Sequence, residues 1–271
     1  MAGETGPILV TMPVAMVMAG FFAVAMYNTV EILVAIFTTF RRREGLYFWS
    51  LLVASLGIPV HSVAALLRFF ALAPNVAMCV IIILGWWAMV TGQSVVLYSR
   101  LHLVISDSKK IRWAKTMIIA NFFVLHVPVS ILFLGSNSVD SDPFIHGFNV
   151  YEKIQLAGFT IQESILSGLY LWEASRGLKY IMNIKAAEGK SVIRHLFLLF
   201  VVVVLLDISL MVTEYTDNFQ IQTTYKPVVY SVKLKIEFVI LNELVNLTQG
   251  RRCTMTLPTA APSAAHRQTA H

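Results

Sequence analysis

The feature that most restricts what this chain can fold into is a succession of long apolar runs separated by short polar connections. A helix rises about 1.5 Å per residue, so roughly 20 apolar residues cross a hydrocarbon layer about 30 Å thick. Seven runs reach that length, at about residues 13–40, 46–70, 76–104, 113–134, 151–175, 192–215 and 225–247. In lipid every backbone polar group must be satisfied within the protein, which leaves helices or closed barrels. The runs are too continuous for the alternating strands, about 10 residues each, of a barrel. The expected fold is all-α, a polytopic seven-transmembrane helix bundle over 13–250. A short N-terminal segment, 1–12, precedes it and a disordered cytosolic tail, 251–271, follows. No basic stretch precedes the first run, which is longer than the apolar core of a signal peptide, so it reads as a retained helix. Composition agrees: 57% of the 271 residues are hydrophobic and 13% charged, against about 25% charged in an ordinary soluble domain. Mean hydropathy is +0.70.

The basic residues set an orientation. Arg41, Arg42 and Arg43 follow the first run, "SDSKKIRWAK" (106–115) the third, "RGLKYIMNIKAAEGKSVIR" (176–194) the fifth, and Arg251 and Arg252 the seventh. The other connections, "ALAPN", "GSNSVDSDPFIHGFN" and "TDNFQIQTT", hold no Lys or Arg. Basic loops stay cytoplasmic, so the N-terminus is expected on the lumenal or outer side and the C-terminus in the cytosol. The net charge of +6 is thereby assigned to topology. Basic residues divided among short loops do not make a nucleic-acid surface. Cys79 and Cys253 fall at different depths and imply no disulfide. The one sequon, at Asn246, lies at the expected cytosolic edge. With every loop short, function is expected within the membrane, in a multi-pass protein of the endoplasmic reticulum.

Ionisable residues interrupt these runs, and each costs about 2.5–3.5 kcal/mol on insertion scales. Glu31, His61, His126, Glu163 and Asp207 fall near mid-depth. Gln93 lies in the cytosolic half, and Arg68 and Glu214 toward the lumenal side. Lys226, Tyr230, Lys233 and Glu237 share one face of the seventh run. Glu152, Gln155, Phe159, Glu163 and Tyr170 share one face of the fifth, and Tyr27, Asn28 and Glu31 form a patch on the first. The simplest packing turns these stripes toward a common interior. As plain interhelical glue such groups contribute about 0.6 kcal/mol each, with Lys226–Glu214 and Lys233–Asp207 as natural pairs. Arg100 is expected to snorkel to the headgroups. Two lysines do not neutralise Glu31, Glu163, Asp207, Glu214 and Glu237, so some acids are expected to carry a proton in this dry setting. Aromatic residues at 86–87, 122–123, 159, 170, 172 and 230 offer faces for a cation. There is no Asp-rich diphosphate motif, HExxH, glycine-rich phosphate loop, GxSxG or cysteine pair for zinc.

Four segments carry a family resemblance: "YNTVEI…FTTFRRREGLYFWSLLVASLGI", "W…VTGQSVVLYSRLHLV", "YEKIQ…FTIQE…GLYLWE" and "YKPVVYSVKLKIEFVILNELV". From about Tyr27 to Val245 the chain resembles a group of fungal seven-helix proteins. That group includes the integral-membrane terpene cyclases of ascofuranone, ascochlorin and macrophorin biosynthesis. The resemblance implies cyclisation of a meroterpenoid's prenyl chain, begun by protonation of a terminal olefin or epoxide. It implies a lipophilic prenylated polyketide or phenol as substrate, membrane lipid as surroundings, no cofactor or metal and no obligate protein partner. Placed by depth, Glu31, Glu163, Asp207 and Glu237 are the candidate catalytic acids and bases. Asn28, His61, Gln93, Gln162, Tyr170, Glu214, Tyr230 and Lys233 are the candidate substrate-binding groups. Glu31 leads as donor, having Asn28 one turn away and no lysine near in sequence. A seven-helix receptor-like protein without catalytic activity is the competing reading, and a proton-coupled transporter a weaker one, since no inverted repeat is evident.

Overall fold

The computed structural model describes residues 11–40, 44–105, 107–138, 142–182, 186–216 and 219–255. The arginines at 41–43, most of the N-terminal segment and the tail beyond Met255 lie outside the described residues. Within them the chain is all-helical, with seven helices and no strand. They are α1 (Met12–Thr39), α2 (Leu46–Phe69), α3 (Asn75–Val104), α4 (Ser108–Ser136), α5 (Asp142–Met182), α6 (Ala186–Tyr215) and α7 (Phe219–Met255). Five of them, α1 to α4 and the Ile193–Tyr215 part of α6, are long and apolar enough to cross a membrane. That marks the chain as a membrane protein.

Side-chain contacts give the register. Ala54 meets Gly92, Gly57 meets Ala88 and Met89, and His61 meets Gly85, so the paired residue numbers run oppositely and α2 and α3 are antiparallel. A Cβ on Gly57 or Gly85 would come within 2.7 and 2.6 Å of backbone nitrogen on the facing helix. These glycines let the two backbones touch, as small residues do between helices in lipid. Asn121–Gln162 and Tyr151–Val124 set α4 antiparallel to α5. Lys226–Glu152 and Lys233–Glu163 set α7 parallel to α5, and Asn28–Ser231 with Glu31–Lys235 sets α1 parallel to α7. The result is an up-and-down bundle in which, of the five apolar helices, α6 and α1 are the least covered.

Helix α4 contains one π-helical turn, Phe122–His126, just before Pro128. Pro128 has no N–H to give the Val124 carbonyl four residues back, and Tyr151 of α5 supplies a hydroxyl to it at 2.6 Å. Pro227 in α7 likewise leaves the Thr223 carbonyl without its helical donor.

Helices α5 and α7 differ most from the expected bounds. α5 starts at Asp142, not near 151, because Pro143 occupies the first turn, where no N–H is needed. Its next turn is held by packing, with Phe144 on Gly135 and Phe148 in the core. α7 starts at Phe219, whose ring lies 6.1–6.4 Å from those of Phe69, Phe133 and Phe148. It continues to Met255, past the expected end of the bundle at 250.

Candidate active site

Three ionic layers are stacked along α7. The first is built around Lys226, whose ammonium donates to Glu152 of α5 at 2.7 Å and stands 4.0 Å from Glu214 of α6. Gln222, one turn earlier, donates to the same Glu152 oxygen at 3.2 Å. Two turns further on, Lys233 is fully buried and donates to both Glu163 (2.7 Å) and Asp207. Its ammonium lies 4.9 Å from the centre of the Tyr230 ring. In the third layer Glu237 pairs with Arg100 of α3, whose guanidinium lies 4.3 Å above the Tyr170 ring. Each lysine therefore serves two carboxylates.

Among the described residues the third layer borders a space of about 20 Å³, at Arg100, Tyr170 and Glu237, and the first layer borders a wider one. This space of about 50 Å³ is lined by His61, Arg68, Trp86, Glu152, Gln155 and Lys226, among others. A water needs roughly 10–15 Å³ on this measure, so the cavity holds a few small groups. Its remaining wall mixes aliphatic and aromatic side chains, Ile82, Ile83, Val129, Phe133, Phe148 and Phe219, with two hydroxyls. His61 is fixed by donating from Nδ1 to the Ile82 carbonyl at 3.2 Å, and the Thr223 carbonyl freed by Pro227 lies toward the same ring. Arg68 is held at one edge by Asn75 (2.9 Å) and Asn137 (2.7 Å), with its guanidinium 5.3 Å from the Phe133 ring. The cavity thus joins a partly aromatic wall, an imidazole and a carboxylate–lysine cluster.

The residues expected from the sequence divide into four groups. Glu163, Asp207, Lys233 and Tyr230 come together, as do Glu237 and Tyr170, and Glu214 joins the Lys226 layer. His61 alone among the expected residues lines the cavity. Gln162 bridges Asn121 and Ser94, Asn28 donates to Ser231, and Gln93 is buried in α3, so none of these three faces it. Glu31 requires a correction. Its side chain is 44% exposed and pairs at 2.7 Å with Lys235 on the outside of the bundle. Tyr27 is 69% exposed. The patch on α1 therefore points outward except for Asn28, because Ala25, Asn28, Ile32 and Ile36 form the buried face of the helix, with Asn28 bonded to Ser231 of α7. Arg100 is corrected too: it is 2% exposed and paired within the bundle, not drawn to the headgroups. Glu237 takes Arg100 as its partner although Lys233 lies one turn away.

Sequence reasoning left Glu152 and Lys226 out of the site because it set their helices to begin at 151 and 225. With α5 starting at Asp142 and α7 at Phe219, they lie about 15 Å and 10 Å inside. The signal that pointed to them was the spacing Glu152–Gln155–Phe159–Glu163, which continues the buried face of α5 outward. His126 is a packing node: it is fully buried, bonded to Thr91 at 3.0 Å, and set against Trp86 and Phe159 at 4.2 and 4.5 Å. Among the described residues, no group of three or more His, Cys, Asp or Glu is placed to hold a metal ion.

A bundle with an acid–lysine cluster opening on a partly aromatic cavity defines a membrane protein with a built internal site. The chain belongs to a family described as a domain of unknown function, DUF7703, whose sequence model matches residues 5–259. No curated protein and no solved structure matches it.

Proposed function

We propose that this protein is a membrane-embedded terpene cyclase that closes the prenyl chain of a meroterpenoid after protonating its terminal olefin or epoxide. One observation carries the reading: Glu152, shared between Lys226 and Gln222, borders a cavity walled by Trp86, Phe133, Phe148 and Phe219. In the proposed step the carboxylic acid form of Glu152 gives its proton to the substrate carbon or epoxide oxygen and is left as the carboxylate paired with Lys226. The positive charge that results lies among aromatic faces, which attract cations, and water is scarce there. The final deprotonation returns a proton to the cluster, so no net proton is consumed. The cavity takes the reacting end of the prenyl chain, while the ring system lies between the helices and is reached from the bilayer. The Glu163–Lys233–Asp207 layer beneath it holds α5, α6 and α7 in register.

All seven helices cross the membrane in this reading. α5 and α7 fall short of the apolar character of the others because they carry the buried ionic layers. The N-terminus is lumenal and the C-terminus cytosolic, in the endoplasmic reticulum.

The test is turnover of a farnesylated phenol, and of its terminal epoxide, by microsomes from a heterologous host. Wild-type protein is expected to give a cyclised isomer. Glu152→Gln is expected to lose about 10²-fold or more of that rate, the usual contribution of a general acid, at unchanged protein level. Unaltered substrate with both compounds would instead favour a receptor-like role, and an active Glu152→Gln variant would move the acid elsewhere.

A further inference from the structure

Glu31 and Lys235 form an ion pair at 2.7 Å, yet their side chains are 44% and 41% exposed. Glu31 lies eight residues before the end of α1 at Thr39, about 12 Å along the axis and inside the apolar run. Charged groups at such depth almost always face a bundle interior or a water-filled cavity. This pair faces outward. Around it α1 presents Gly20, Ala23, Tyr27, Val30 and Val34, all exposed and spaced by three or four residues along one stripe, with exposed Ala19 beside Gly20. A Cβ on Gly20 would meet nothing within 4 Å.

We propose that this face of α1, together with Lys235, is the contact surface for a second copy of this chain. Charge complementarity selects that occupant. The patch carries one acid and one base side by side at the same depth. A twofold axis along the membrane normal therefore brings Glu31 of each copy toward Lys235 of the other. The four charges then alternate in sign and leave the lipid. Ala19, Gly20 and Ala23 let the two α1 backbones approach closely beyond the charged layer. A lipid headgroup does not reach this depth with both signs of charge.

The test is stoichiometry of the full chain in nanodiscs, read as mass against a chain of 30.3 kDa, and subunit counting by photobleaching in liposomes. Wild-type protein is expected as a pair. Glu31→Lys and Lys235→Glu are each expected to give single chains, and the double exchange to restore the pair. A second readout does not depend on charge variants inserting correctly. In a Cys253→Ser background, Tyr27→Cys is expected to cross-link two chains on oxidation, whereas Leu205→Cys, exposed on α6, is not. Wild-type single chains at all concentrations would overturn the proposal. So would pairs that survive both single reversals, or cross-linking at Leu205→Cys alone. The outcome is independent of catalysis, because it is read without substrate.

Discussion

Lys233 is the residue on which the interior most depends. It is fully buried and is the shared counter-charge of Glu163 and Asp207, which approach it from two different helices. Lys233→Met is expected to leave two facing acids without their cation. Breaking a buried pair in this one-sided way costs about 3–5 kcal/mol, so a large fall in thermal midpoint in detergent is the expected reading. Adding Glu163→Gln and Asp207→Asn to that variant should recover most of the loss, because removing a whole buried ionic group is often close to neutral. If Lys233→Met melts like wild type, the layer is not what holds these helices. The partnership of Lys233 with Asp207 was legible in the sequence, since both lie near mid-depth in long apolar runs. The outward turn of Glu31 was not. A patch of three polar residues on α1 looks the same whether its helix is rotated inward or outward, and Lys235 is 204 positions away.

At the scale of elements, the seam between α2 and α3 is the tightest contact and supports one wall of the cavity. Gly85 faces the backbone of His61, with 2.6 Å to His61 N and 2.9 Å to its Cα. Gly85→Ala must therefore push backbone, not a flexible side-chain end. Overpacking of this kind costs about 1–3 kcal/mol, and here it also displaces His61 from the cavity. The expected result is a lower melting temperature together with impaired turnover. Gly168→Ala is the control: its Cβ meets nothing within 4 Å, and Ala is the better helix former by about 1 kcal/mol. Equal melting of the two variants would mean that the seam is loose. Helix existence was legible throughout because apolar length is a direct consequence of bilayer thickness. The starts of α5 and α7 were not, since Asp142-Pro143 and the "TDNFQIQTT" stretch have loop chemistry. Packing of Phe144, Phe148 and Phe219 overrides that chemistry, and with it shifts Glu152 and Lys226 from the edge to the site.

For the whole molecule, the up-and-down register makes orientation a single choice: once one end is placed, every connection is. The first turns of α4 carry Lys109, Lys110, Arg112 and Lys115, and Asp107 caps α4 by accepting from the Lys109 backbone N–H at 2.9 Å. At the other end of α3, Arg68 is sequestered by Asn75 and Asn137, so that end offers no free cluster of cations. In the proposed topology the α3–α4 end is cytosolic, because Lys and Arg in short loops resist translocation. An N-terminal tag with a glycosylation acceptor is therefore expected to gain a glycan removable by endoglycosidase. A C-terminal epitope should be digested by protease added to intact microsomes. An even number of crossings would put both tags on one side and overturn the proposed topology, and with it the reading in which α5 and α7 hold Glu152 and Lys226 within the membrane.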